Sequence, residues 1–242
     1  MSESVNDYYQ LVQEPWGRMF YDLLWEQADI KNDQRYSILD YGSGFGVTSG
    51  HYSHNHNVIA IEPNNMMLEK RFAGSYEQLT GGEDKLKDFP DNFFDVIFCH
   101  NVLEYCKNQA EIFRELARVL KNNGLISLVK HNKDGKVLHT AVFKAAPAEA
   151  MSLFEDVKSD SSKTFGERYL YDEADMLDWL EGTNMEISKK YGVRTFFSLI
   201  QDNAIKYDPV WYSGMLRLER EVSEVEPYRS IAFFNHYILV KK

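Results

Sequence analysis

A chain of 242 residues with 44% hydrophobic and 26% charged side chains can close a packed domain, and it is too apolar for wholesale disorder. Its net charge of −10, from 27 Lys and Arg against 37 Asp and Glu, works against long-range attraction to nucleic acid, so any RNA contact needs a local basic patch. No apolar run approaches the roughly 18 residues of a membrane helix, and the polar, acidic start from Met1 to Gln13 has no leader-like stretch, so neither a membrane span nor a secretory signal is expected and the cytoplasm is the default.

In chain order, Trp16 to Gln27 reads as a helix with Met19, Phe20, Leu23 and Leu24 on its apolar side. Ser37 to Tyr41 reads as a buried strand entering a glycine turn. Asn57 to Glu62 is a second strand, with a helix to about Phe72 behind it. A weak strand is expected at Glu77–Thr80, a fourth at Phe94–Cys99 and a fifth at Leu125–Val129. The helix between the last two, Ala110 to Leu120, is stopped by Asn122, Asn123 and Gly124. Residues 131–168 lose the pattern, which predicts loops and a short helix. A helix over Asp172–Trp179, a strand over Glu186–Phe197, a helix over Asp208–Glu224 behind Pro209 and a strand over Phe233–Val240 complete the chain. Strands alternating with helices predict an α/β fold around a mostly parallel sheet, in one domain over 1–242. Cys99 and Cys106 are too few for a disulfide framework and read as reduced core thiols. His51, His54 and His56 lack a supporting Cys or carboxylate pattern, so no metal is expected.

In an open α/β sheet, ligands bind beyond the carboxyl ends of the strands where strand order reverses. The first strand exits there into Asp40-Tyr41-Gly42-Ser43-Gly44-Phe45-Gly46. Glycines let the backbone turn sharply and pass close beneath a ligand. A dinucleotide loop has the spacing G-x-G-x-x-G, whereas Val47 stands where that pattern needs its third glycine. Glu62, ending the second strand, can accept both hydroxyls of a ribose.

The D-x-G-x-G-x-G loop with Glu62 resembles the class I S-adenosylmethionine-dependent methyltransferases. That resemblance implies a Rossmann-like sheet of seven strands, mostly parallel, with helices on both faces, an antiparallel last strand and a helical insertion before it. The cofactor-binding core would span about 35–130 and substrate-side elements about 131–232. It also implies that Asp40, Gly42, Ser43, Gly44 and Gly46 form the cofactor loop, that Glu62 holds the ribose, and that Gly82 and Glu83 of Gly81-Gly82-Glu83-Asp84 lie beside adenine.

A narrower likeness runs through His100–Tyr105, Gly192–Phe196, Glu226–Ile231, Leu24-Trp25 and Asn132 with Gly135. These segments resemble the bacterial tRNA 5-carboxymethoxyuridine methyltransferases, which esterify the carboxylate of a modified wobble uridine. The resemblance places His100 against the cofactor. It also calls for an arginine in the N-terminal helix where this chain has Phe20, with Arg18 on another face. An ionised carboxylate needs no base, so the side chains asked for are cations that grip it, and Arg194 and Arg229 are the candidates. For a hydroxyl or amine acceptor His100 would be the base instead.

Lys130 to Lys136, extended by His139 and Lys144, is the local basic stretch that tRNA would need. Tyr169, Tyr171, Tyr191 and Trp211 are candidates for base stacking or for ordinary packing. The insertion Leu199–Ser230 is expected to cap the acceptor pocket. The acidic balance keeps open a small-molecule O- or N-methyltransferase. A cofactor-binding protein without turnover and, more remotely, a nicotinamide dehydrogenase also remain open.

Overall fold

Alternation of buried β-branched runs with amphipathic segments yields, in the computed structural model, α1 (Glu3–Gln13), α2 (Pro15–Ala28), β1 (Ser37–Tyr41), α3 (Val47–Tyr52), β2 (Asn57–Glu62), α4 (Asn65–Leu68), β3 (Glu77–Thr80), α5 (Glu83–Leu86) and β4 (Phe94–His100). There follow α6 (Gln109–Val119), β5 (Leu120–His131), α7 (Lys133–Val142), α8 (Pro147–Glu155), β6 (Ser159–Ser162), β7 (Gly166–Tyr169), α9 (Glu173–Leu180), β8 (Met185–Val193), α10 (Pro209–Val222) and β9 (Phe234–Lys241). The structure describes residues 3–155, 159–162 and 166–242.

Seven strands form one sheet in the order β3-β2-β1-β4-β5-β9-β8. Pairings from β3 through β5 are parallel, and β9 runs antiparallel to both β5 and β8. The Rossmann-like expectation, with its antiparallel last strand and the helix α10 inserted before it, holds. The chain winds outward from β1 to β3 and then restarts at β4 on the other side. The reversal lies between β1 and β4, and a ligand crevice opens at their carboxyl ends.

One face of the sheet packs Leu39, Ile61, Ile97 and Leu128 against Phe113 and Leu116 of α6 and Trp179 of α9. The other face receives α2, whose Met19, Leu23 and Leu24 meet Val129, Val193 and Phe234.

Four local expectations need correction. The helix after β2 ends at Leu68 rather than near Phe72. Phe72 donates its N–H to the Phe45 carbonyl at 2.8 Å and stacks its ring on Tyr9, so the chain is tied to the glycine loop instead of continuing as helix. Strand β5 starts at Leu120, before the asparagines read as a helix stop, with a bulge between its contacts to Phe94 and Val96. Residues 131–168 carry two helices and a paired strand couple rather than loops and one short helix. Strand β8 stops at Val193, because Arg194 adopts φ 62 and the buried Glu219 carboxylate collects the next three N–H groups, of Thr195, Phe196 and Phe197.

Helix α1 has no counterpart in the sequence reading. Its Val5, Tyr8, Tyr9 and Val12 pack on Phe45, Met67 and Phe72 around the glycine loop. The turn into α2 depends on Gly17, where a Cβ would sit 2.3 Å from the Val12 carbonyl oxygen. Gly17→Ala must therefore displace α1, and it is expected to cost about 1–3 kcal/mol. A thermal melt showing a lowered Tm, with earlier proteolytic cleavage ahead of Pro15, checks this.

Candidate cofactor and acceptor site

A cavity of about 800 Å³ opens at the carboxyl ends of β1 and β4, toward the upper end of the range for small-molecule and cofactor pockets. Its base is the glycine loop. Gly42, Gly44 and Gly46 have φ of 75°, 57° and 75°, the left-handed region that side chains resist. Gly42 and Ser43 both donate to the Ile61 carbonyl, at 2.9 and 3.0 Å, which ties the loop to the end of β2. At Gly42 a Cβ would collide with Val102 Cγ2 at 2.3 Å.

Asp40 lies behind the loop. Its Oδ2 accepts from the Ser49 N–H at 3.1 Å and the Ser49 hydroxyl at 2.6 Å, pinning the first turn of α3. Burial raises its carboxyl from an ordinary 3.8 to about 6. Glu62 is 6% exposed and uses one lone pair of each oxygen on the chain itself. Oε2 accepts from Gly44 N–H and Oε1 from Asn64 N–H, both at 2.8 Å. The remaining lone pairs are left for hydroxyl donors. Burial moves its carboxyl above the usual range.

Of the residues singled out from the sequence, Gly42, Gly44, Glu62, Gly82, Glu83, His100 and Arg194 line this cavity together. Asp40, Ser43 and Gly46 stand behind it. Around a Cβ placed on Gly82 there is no protein atom within 4 Å, so a flat group can approach that backbone. Ser43 Oγ is buried without a hydrogen-bond partner. An open glycine edge, a carboxylate with spare lone pairs and a positive-φ glycine loop together fit the adenosine and amino-acid ends of S-adenosylmethionine.

His100 is hydrogen-bonded through Nε2 to Ser127 Oγ at 2.8 Å. Burial drops its pKa to about 3, so it is neutral at physiological pH and a weak base. Arg194 reaches the cavity from the end of β8, its guanidinium carbon 5.6–5.7 Å from the rings of Phe197, Phe233 and Phe234. Its Nε is buried without a hydrogen-bond partner, and burial lowers its pKa to about 10, leaving it fully charged near neutrality. Arg229 is elsewhere: it pairs with Glu226 at 2.7 Å and does not line the cavity.

The position expected to carry a cofactor arginine holds Phe20, which lines the cavity and packs on Phe234 at 4.9 Å. Arg18 does not replace it, since its guanidinium lies over Tyr212 beside Asp22. The insertion 199–230 does not cap the site either. None of its residues line the cavity, and α10 instead packs outside α2, with the Tyr212 hydroxyl donating to Asp22 at 2.9 Å. The cover comes from Tyr8, Leu11 and Val12 of α1 and from Arg168 of β7.

The basic stretch divides between core and surface. Lys130 is buried with its ammonium over Tyr171, Lys133 donates to the Phe154 carbonyl, and Lys144 pairs with Glu149. Burial brings Lys136 down to about 8 and His139 to about 4. Tyr171 and Tyr191 are core residues rather than stacking platforms. Both cysteines are free thiols; Cys99 is buried, and Cys106 borders the cavity with its thiol pushed up to about 11 by burial.

One pair went unassigned in the sequence. Glu104, fully buried, accepts from the His131 N–H at 2.9 Å and is hydrogen-bonded to His131 Nδ1 at 2.8 Å, while the His131 ring lines the cavity. Both residues sat in segments already quoted, but a contact 27 positions apart along the chain has no local signature.

Comparison with known proteins agrees with this geometry. Residues 39–128 match the family described as a methyltransferase domain. The tRNA 5-carboxymethoxyuridine methyltransferase of Escherichia coli K12 is 25% identical over 239 residues, covering 91% of this chain and 87% of that protein. The methyltransferase YcgJ of Bacillus subtilis is 30% identical over 118 residues, 45% of each chain. Among solved structures, an S-adenosylmethionine-dependent methyltransferase from Thermotoga maritima superposes with a TM-score of 0.61 at 15% identity, over 98% of this chain and 96% of that one. The sequence match to YcgJ spans less than half of this chain, whereas that to the tRNA enzyme spans 91% of it. Residues 39–128 are thus an S-adenosylmethionine-dependent methyltransferase domain, and the chain resembles the bacterial tRNA 5-carboxymethoxyuridine methyltransferases over nearly its whole length.

Proposed function

We propose that this enzyme methylates a carboxylate, and that the acceptor is the 5-carboxymethoxyuridine side chain of a tRNA. The observation that carries the reading is Arg194, a cation on the wall of the cofactor cavity that forms no ion pair among the described residues. The buried Glu219 carboxylate spends its hydrogen bonds on the Thr195, Phe196 and Phe197 N–H groups and acts on Arg194 only through space, so the guanidinium is left to grip a ligand carboxylate in bidentate geometry. The full-length relative acts, by its name, on the same kind of acceptor.

S-adenosylmethionine supplies a methyl group made electrophilic by its sulfonium. On this reading Glu62 takes the ribose hydroxyls, Gly82 and Glu83 border the adenine, and the loop from Asp40 to Gly46 carries the amino-acid end. Arg194 aligns the acceptor carboxylate, which is ionised at neutral pH and attacks without a general base. His100, neutral and weakly basic, lines the wall rather than moving a proton. Arg229, paired with Glu226, has no part in the reaction. Rate enhancement then comes from alignment and water exclusion, worth about 7–11 kcal/mol where geometry is favourable.

A second reading is favoured by the net charge of −10 and the inward turn of Lys130: a small carboxylic acid as acceptor, without RNA. Incubation with labelled cofactor and total tRNA separates the two. The tRNA reading expects nuclease-sensitive label that mild alkali releases, as an ester requires. Alkali-stable label in the tRNA, or label found only on small acids and indifferent to nuclease, rejects it.

A further inference from the structure

Four polar side chains from α2, β4, β5 and β9 stand in line between the sheet and α2. His100 Nε2 is 2.8 Å from Ser127 Oγ, Ser127 Oγ is 2.7 Å from His236 Nε2, and His236 Nδ1 is 2.7 Å from Gln27 Oε1. His236 and Ser127 are fully buried, and burial keeps both imidazoles neutral at physiological pH.

Only one arrangement of protons satisfies this chain. The Gln27 amide nitrogen donates to the Gly192 carbonyl at 3.4 Å, so the other end of Gln27 is an oxygen and can only accept. His236 must then carry its proton on Nδ1, which leaves a bare lone pair on Nε2. Ser127 therefore gives its hydroxyl proton to His236. Its oxygen is left to accept, so His100 must be protonated on Nε2. The lone pair of His100 falls on Nδ1, which has no partner among the described residues, in a ring that lines the cavity. The Gly192 carbonyl at the far end is thus read out, through four side chains, as the hydrogen-bonding character of the cavity wall.

We propose that Gln27, His236 and Ser127 are positioning residues that lock His100 as a fixed hydrogen-bond acceptor for an N–H or O–H group of the bound cofactor. Arg194 and His100 then give the cavity two opposite polarities: one wall grips an anion, and the other refuses it and takes a donor. The proposal rests on this cavity being the cofactor site. It is independent of which acceptor is methylated.

The test uses the full chain labelled with [15N]histidine and saturated with S-adenosylhomocysteine, with His100 and His236 assigned through His100→Asn and His236→Asn. Long-range proton–nitrogen spectra are expected to show His100 protonated on Nε2 and His236 on Nδ1. Ser127→Ala is expected to mix the His100 tautomers and to raise the calorimetric Kd for S-adenosylhomocysteine about tenfold, the worth of one hydrogen bond, with Ser127→Thr restoring both. Gln27→Lys, which can only donate, is expected to reverse every proton in the chain, put the His100 proton on Nδ1 and weaken binding by a similar factor. Gln27→Met should break the chain without reversing it. Because Gln27 is only partly buried, this pair decides the matter if Ser127→Ala fails to fold. A wild-type His100 protonated on Nδ1 overturns the proposal, and so does a tautomer change that leaves Kd within about twofold. No S-adenosylhomocysteine binding by the wild type would instead remove the cofactor reading beneath it.

Discussion

Glu62→Ala is expected to weaken S-adenosylmethionine binding by about two to four orders of magnitude while the protein still folds. The carboxylate keeps one lone pair per oxygen free after accepting from Gly44 and Asn64, and two ribose hydroxyls would fill them. Hydrogen bonds to a charged acceptor contribute about 1.5–3 kcal/mol each, so losing both gives the expected fall in affinity. Part of the loss is indirect, since the Gly44 N–H loses the partner that shapes the loop. Glu62→Gln separates the two parts. It keeps the size and one acceptor oxygen but turns an NH2 toward a backbone donor, so both loop order and binding should suffer. Calorimetry on the alanine variant with an affinity within a few-fold of wild type would remove Glu62 from the ribose.

The same residue sets a pH dependence whose two readouts move in opposite directions. Burial raises the folded-state pKa of Glu62, and that of Asp40 to about 6. A carboxyl raised on folding contributes stability that is full below its unfolded value and is lost as pH rises through its folded one. Acidification from neutrality toward the ordinary carboxylate range should therefore add stability to the apoprotein from these two groups. Cofactor affinity should fall over the same interval, because a protonated Glu62 cannot accept from both hydroxyls. Melts and calorimetry at matched pH values check the opposed slopes.

The elements read best from sequence were those whose pattern and punctuation are local. Helix α9 begins where Asp172 predicts, because its side chain caps the Asp175 N–H and the Asp175 side chain returns the bond. Helix α10 begins at Pro209 behind the Asp208 cap for the same kind of reason. The glycine loop and Glu62 were legible because a tight turn and a strand end have to be adjacent in chain order. What stayed hidden depends on contacts between distant segments. Helix α1 is polar by composition and is held by rings it meets only after folding, so nothing in Met1 to Gln13 announces it. Arg194 and Arg229 look alike as sequence, yet one faces three aromatic rings and the other a neighbouring glutamate. The basic run from Lys130 looks like an RNA-binding surface until the fold turns Lys130 inward onto Tyr171. Composition states how many charges there are; only packing decides which of them meet solvent.

Arg194→Ala is expected to lower kcat/KM for the acceptor by about two to three orders of magnitude and to leave cofactor affinity within about twofold of wild type. Removing one partner of a buried, hydrogen-bonded charge pair costs about 2–5 kcal/mol, and here the partner is the ligand carboxylate. Arg194→Lys should recover only part of the loss, because an ammonium cannot form the parallel pair of bonds that aligns both carboxylate oxygens. The apoprotein should tolerate the change. Its guanidinium forms no ion pair among the described residues, and the φ of 62 at this position strains alanine as much as arginine, so that cost cancels in the comparison. The fold gives up the through-space attraction between Arg194 and the buried Glu219 and is relieved of a desolvated cation, while the site loses its grip on an anion. Steady-state kinetics against the acceptor, cofactor calorimetry and a thermal melt on one preparation give the three numbers needed. Equal losses in acceptor use and cofactor affinity would move Arg194 to the methionine carboxylate, filling the place left by Phe20. A large drop in Tm would reduce it to a core residue held by Phe197, Phe233 and Phe234.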